Sequence, residues 1–161
     1  MLASRGRGEI VQLDTADRRG ERNAYTKLQR HKMRELFNSD EECDTQLESM
    51  TATLSKYFRN LKRIYAHYSG GAQMSPHGFW AMVRDCKLTN KRLTPQKIDI
   101  ICIRVNVDNR DEDGNVGDVD KLLDPGEFVE ALVRMAHQRA PEGAGTLTNK
   151  FDVMMREQVV Q

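Results

Sequence analysis

Leu54, Tyr57, Phe58, Leu61, Ile64, Tyr65 and Tyr68 recur at helical spacing, and Lys56, Arg59, Lys62 and Arg63 take the other face. This period predicts an amphipathic helix over 54–68, stopped by Ser69-Gly70-Gly71. Upstream, Ser39-Asp40-Glu41-Glu42 has the Ser-x-x-Glu order of a capping box, so a helix begins near residue 40. The run Thr51-Ala52-Thr53 leaves room for a break or a frayed turn.

Three further helices announce themselves by a cap followed by proline: Ser75-Pro76, Thr94-Pro95 and Asp124-Pro125. A Ser, Thr or Asp oxygen accepts from free amides of the first turn, and proline at the first helical position loses no hydrogen bond. The first helix carries Phe79, Met82, Val83 and Cys86 on its apolar stripe, with Trp80 beside it. The second carries Ile98, Ile101, Cys102 and Val105. Ile101, Ile103, Val105 and Val107 also alternate as a strand would. The Thr-Pro start favours helix, with a final turn that could become extended. The third carries Phe128, Ala131, Leu132 and Met135 and ends at Ala140-Pro141.

The two ends of the chain pattern more weakly. Residues 1–24 are polar with isolated apolar positions, and read either as a disordered tail or as an arm ordered by a partner. Residues 25–37 place Tyr25, Leu28, Met33, Leu36 and Phe37 along one side of a short basic helix. That helix either lies on an acidic partner or packs back on the domain. Residues 148–160 predict a last helix capped by Thr148 or Asn149, with Phe151, Met154 and Met155 docking.

Two segments repeat. Met74-Ser75-Pro76-His77-Gly78-Phe79 aligns with Leu123-Asp124-Pro125-Gly126-Glu127-Phe128, and each follows a loop and an amphipathic helix. The expected architecture is all-α, with two packed helix–loop–helix units over 39–139, a basic arm over 1–38, and a linker and C-terminal helix over 140–161. Over about residues 54–137 the chain resembles the EF-hand family, most clearly in Leu123-Asp124-Pro125-Gly126-Glu127-Phe128-Val129-Glu130-Ala131-Leu132.

The resemblance implies a calcium loop, which fits in two registers. That family takes oxygens from loop positions 1, 3, 5, 7, 9 and 12, with glycine at 6. In the 109–120 register, Asn109, Asp111, Asp113, Asn115 (by its carbonyl) and Asp120 are the candidate metal ligands around Gly114. Asp120 is shorter than the usual glutamate, and Pro125 comes too late for the exiting helix. In the 116–127 register, Glu127 is the final ligand, Leu123 the apolar position and Asp124 the helix cap. Val116 and Lys121 then stand where an acid and a glycine belong. The second register explains the repeat and predicts little ion binding. The first repeat's loop, His67 to Gly78, lacks acids and ends in glycine, so no ion is expected there. No cofactor is therefore expected, with weak calcium or magnesium at 109–120 as the open alternative.

Charge adds an asymmetry. Residues 1–38 hold nine Lys/Arg against five Asp/Glu, whereas the whole chain is near balance at +1. Arg18, Arg19, Arg22, Lys27, Arg30, Lys32 and Arg34 are thus candidate partner-binding residues for an acidic protein surface. The balance argues against nucleic acid as a partner, and no apolar run is long enough for a membrane span. The start of the chain lacks the apolar core of a signal peptide. Cys43, Cys86 and Cys102 are odd in number and lack metal spacing, which points to a reducing compartment. Cys86 sits near His67 and His77 in sequence, but on an apolar stripe it reads as core rather than as a nucleophile. No phosphate loop, nucleophile elbow or zinc spacing occurs.

Together these readings describe a non-enzymatic, cytoplasmic structural or adaptor protein that binds protein partners in a large assembly. The stretches Phe128–Ala136 and Tyr57–Tyr65 are similar to those of degenerate EF-hand proteins of cilia and flagella. That resemblance implies the axoneme, with tubulin or other axonemal proteins as partners. The alternative is a calcium- or magnesium-responsive regulator.

Overall fold

The computed structural model describes residues 18–107 and 122–160. The fold is all-α: the described residues form no strand, and their only β-type pairing is an isolated antiparallel bridge between Met74 and Leu123. The helices are α1 (18–26), α2 (Arg30–Met33, continued by a 3-10 turn Arg34–Leu36), α3 (Asp40–Lys56) and α4 (Phe58–Ser69). They continue as α5 (Pro76–Asp85), α6 (Pro95–Val107), α7 (Pro125–Arg139) and α8 (Leu147–Met154), the last running into a π turn, Met155–Val159.

Helix α7 is the hub. Every side chain from Glu127 to Ala136 is buried, because α4, α6 and α8 pack around it and Lys32 and Glu35 reach it from the N-terminal side. A helix enclosed on all sides is a core helix rather than an amphipathic surface helix. Phe128 meets Tyr65 of α4 at 5.5 Å between ring centroids. Phe151 of α8 meets Tyr57 at 6.2 Å. Phe79, Phe128 and Phe151 are fully buried, each contributing about 1.5–3 kcal/mol.

The capped starts form as expected. Ser75 Oγ accepts from the Gly78 amide at 3.2 Å, and Thr94 Oγ1 accepts from the Lys97 amide at 3.4 Å. Asp124 and Glu127 make a full capping box, at 2.8 and 3.0 Å. Ser39 caps α3 by accepting from Glu42. α6 remains helical through Val107. No strand lies beside it among the described residues to make its β-branched run worth extending.

Several expectations are corrected. The break after α3 falls at Tyr57, not at 51–53, and α4 begins at Phe58 rather than 54. Within continuous α3, the Thr51 hydroxyl donates to the Leu47 carbonyl at 3.0 Å rather than competing for the backbone elsewhere. At Tyr57, tertiary contact decides: its ring packs on Phe151 and its hydroxyl donates to Asp152 at 2.6 Å. The bend lets one apolar run serve two partners, with α3 packing on α8 and α4 on α5 and α7.

Residues 25–37 are not one helix. α1 closes at 26, where Thr26 donates to the Arg22 carbonyl. An extended step at Gln29 (φ −83°, ψ 120°) then leads into α2. Tyr25, Met33 and Phe37 are all buried, and the longer rise of extended chain helps three anchors reach three sites. Of the two readings for residues 25–37, packing back on the domain is the one seen, with Tyr25, Met33 and Phe37 in the core. α8 starts one residue early, capped by Thr146, which accepts from Asn149 at 3.2 Å. Phe151, Met154 and Met155 dock as expected. Cys86 is half-buried rather than core.

Candidate functional site

The two loops meet at one point. The Met74 amide donates to the Leu123 carbonyl at 3.1 Å, and the Leu123 amide donates to the Met74 carbonyl at 2.8 Å. Two cap-plus-proline helices, α5 and α7, thus leave a shared bridge in related ways. Tyr65 clamps it: its hydroxyl donates to the Leu123 carbonyl at 2.7 Å and accepts from the Met74 amide at 3.3 Å. Burial pushes the Tyr65 phenol upward, which keeps it a proton donor.

The first loop is closed. Gly70 (φ 67°) and Gly71 (φ 89°) turn the chain after α4 in the left-handed region. Gly78 occupies the position that holds Glu127 in the second unit. A Cβ there would collide with the backbone carbonyl of Tyr68. Tyr68 is itself pinned, because its hydroxyl donates to Asp85 of α5 at 2.9 Å. The end of α4 therefore fills the space from which a final carboxylate would reach an ion. A carboxylate side chain at this position, which calcium-binding loops of this type use, would require the end of α4 to move.

The second loop is described only at its end. Asn109, Asp111, Asp113, Asn115 and Asp120 lie outside the described residues. Among the described residues, no group of three or more His, Cys, Asp and Glu could hold a metal. Glu127 is buried, and one oxygen accepts from the Asp124 amide in the capping box. Its Oε2 is buried without a hydrogen-bond partner. Burial, with Asp124 nearby, pushes its carboxyl up to about 7, against the pull of Lys32.

The seven basic candidates have different surroundings. Arg18 and Arg19 are exposed on α1. The Arg22 guanidinium lies 5.4 Å from the Phe58 ring centroid, a cation–π contact. Arg30 pairs with Asp44 at 2.6 Å and Asp40 at 3.4 Å, and Arg34 pairs with Asp40 at 2.6 Å. These two therefore face the acidic first turns of α3. Lys27 and Lys32 come together at a small pocket with Asp124, Glu127 and Glu130.

A different surface emerges instead. Between the Arg30–Leu36 segment and α6 runs a groove of about 500 Å³, with Arg134 at its base. It continues beside Lys97, His137 and Gln138. Arg134 is held by Glu130 at 3.3 Å, Glu35 at 2.6 Å and the Lys32 carbonyl at 2.7 Å. Arg104 takes the other oxygen of Glu35. Burial alone would raise the Glu35 carboxyl, but hydrogen bonds from Arg134 and Arg104 hold it below the usual range. One edge of the groove carries Ile100 and Ile103, which are 60% and 61% exposed. Their signal in the sequence was the β-branched run 98–107, whose apolar residues occupy two sides of α6.

Comparison with protein-family models, curated proteins and solved structures finds no match to this chain.

Proposed function

We propose that this chain is a non-enzymatic interaction module, built as an EF-hand-like pair whose first loop has given up ion binding for a fixed packing. The observation that carries this reading is the Met74–Leu123 bridge between the repeated segments, together with the collision that Gly78 avoids. In the 116–127 register both bridge residues stand at the apolar position of their loops, so the bridge favours that register. The acidic stretch before Leu122 is then an insertion rather than a complete loop. Such a pair presents a preformed surface instead of switching on calcium. The surface serves protein partners in a large assembly. The resemblance of Phe128–Ala136 and Tyr57–Tyr65 to degenerate ciliary EF-hand proteins makes the axoneme the assembly proposed, with tubulin or its neighbours as partners.

Two measurements test this. Calorimetric titration with calcium and magnesium at physiological salt is expected to show no constant tighter than about millimolar, the weak end of the family's range. A micromolar constant abolished by Asp111→Ala would instead establish the ion-responsive alternative at Asn109, Asp111, Asp113, Asn115 and Asp120. Co-sedimentation of the full chain with isolated axonemes tests the assembly. Failure to sediment would remove the axoneme while leaving the fold reading intact.

A further inference from the structure

We propose that the groove between α6 and the Arg30–Leu36 segment receives an acidic amphipathic helix of a protein partner. This rests on the interaction-module reading above and names the surface and the partner's chemistry.

The apolar surface of the two helix–loop–helix units is already occupied from within the chain. Met50 and Leu54 of α3 and Phe151, Met154 and Met155 lie in the same core as Phe79, Met82, Phe128 and Leu132. Among the described residues, the outward face of α6 has no such cover. Ile100 and Ile103 are one helical turn apart and mostly exposed, so both meet one side of a helix laid against α6. They line the same groove as His31 and Lys32, which gives that helix a second wall.

Charge selects the occupant. The groove is lined by Lys32, Lys97, Arg104 and Arg134 against Glu35, with Glu130 also paired to Arg134. The Glu35 carboxylate is spent on Arg104 and Arg134. Lys97 donates to the Arg92 carbonyl at 3.0 Å, and Lys32 also borders the pocket of Asp124, Glu127 and Glu130. Neither makes a carboxylate ion pair among the described residues, and both line the groove beside the isoleucines. A second copy would set this basic surface against itself. An acidic helix with an apolar stripe matches both the isoleucines and the lysines.

The test uses the full chain and a dye-labelled synthetic helix of roughly 18 residues, about 27 Å long. The peptide carries leucine on one stripe and glutamate elsewhere, and its control carries lysine for glutamate. In fluorescence anisotropy the glutamate peptide is expected to bind and to weaken as salt rises. The Ile100→Ser/Ile103→Ser variant should bind it at least tenfold more weakly with an unchanged Tm, since both side chains are exposed. The Lys32→Glu/Lys97→Glu variant should reverse the preference between the two peptides. Equal binding of both peptides, undiminished binding by the serine variant, or no binding would overturn the proposal. A dimer in sedimentation that the serine substitutions disperse would also overturn it, in favour of a second copy. If the peptide fails while the full chain still co-sediments with axonemes, the groove is wrong and the interaction-module reading stands. If the peptide binds but the chain does not co-sediment, the groove stands and the axoneme does not.

Discussion

Tyr65 donates its hydroxyl to the Leu123 carbonyl at 2.7 Å, which ties the helix before the first loop to the strand-like end of the second. The same oxygen accepts the Met74 amide at 3.3 Å. One side chain therefore holds both halves of the bridge. Tyr65→Phe keeps the ring contacts with Tyr25 and Phe128 but removes this clamp. The Leu123 carbonyl still accepts from Met74, so the loss is moderate, about 1–2 kcal/mol. Thermal denaturation should show a Tm lower by several degrees. An unchanged Tm would show that the hydroxyl does not hold the bridge.

Gly78 gives a sharper test. Gly78→Glu restores the carboxylate that the resemblance expects at the end of the first loop. Its Cβ meets the Tyr68 carbonyl, which is backbone and cannot rotate away. The substitution should cost about 2–4 kcal/mol and add no calcium affinity. Gly78→Ala should be destabilising by a similar mechanism, which separates the collision from the charge. A Gly78→Glu protein of unchanged Tm that binds calcium would mean that the loop can open.

What was legible in the sequence, and what was not, follows the range of the interactions. Ser75, Thr94 and Asp124 cap helices through amides a few residues on, so local sequence suffices to place those starts. The bend at Tyr57 depends on Phe151 and Asp152, far along the chain. Its apolar spacing reads as one continuous helix because α3 and α4 bury neighbouring parts of the same stripe. In α7, the pattern identified Phe128, Ala131, Leu132 and Met135 but singled out neither Glu130 nor Arg134. They are buried because Lys32 and Glu35 cover them, a contact that no local pattern contains. The candidate surface was least legible. The positive residues of 1–38 stand out by count, yet Arg30 and Arg34 are engaged by Asp40 and Asp44. The groove that emerges draws its apolar residues from α6.

Arg134 and Arg104 share Glu35 but should differ in weight. The Arg134 side chain is 8% exposed and Glu130 is 6% exposed, whereas the Arg104 side chain is 57% exposed. Arg134→Met removes a buried guanidinium that pairs with both Glu130 and Glu35 and should cost about 3–5 kcal/mol. Arg104→Ala removes an exposed pair and should cost about 0–1 kcal/mol. Denaturant unfolding of the two variants gives the comparison. Equal losses would mean that the Glu130–Arg134 pair is not buried in solution.

Glu127 predicts an unusual pH response. Its carboxyl is raised to about 7 by burial and by Asp124, above its ordinary value of about 4.3 in an unfolded chain. Between these values the folded state holds a proton that the unfolded state has released. This group therefore contributes its full stability below about pH 4 and loses it as pH rises through about 7. Glu127→Gln stays neutral and still accepts from the Asp124 amide through its side-chain oxygen. The variant should be close to wild type near pH 5 and more stable by about 1–2 kcal/mol near pH 8, a fraction of the ~1.4 kcal/mol per unit that the full shift implies. Paired urea titrations at the two pH values measure the difference. The gap should widen as pH rises from about 4 to about 7 and stay level above that. A gap that instead widens as pH falls, or one that stays constant across the range, would mean that Glu127 is ionised in the folded protein and that its buried Oε2 has found a cationic partner.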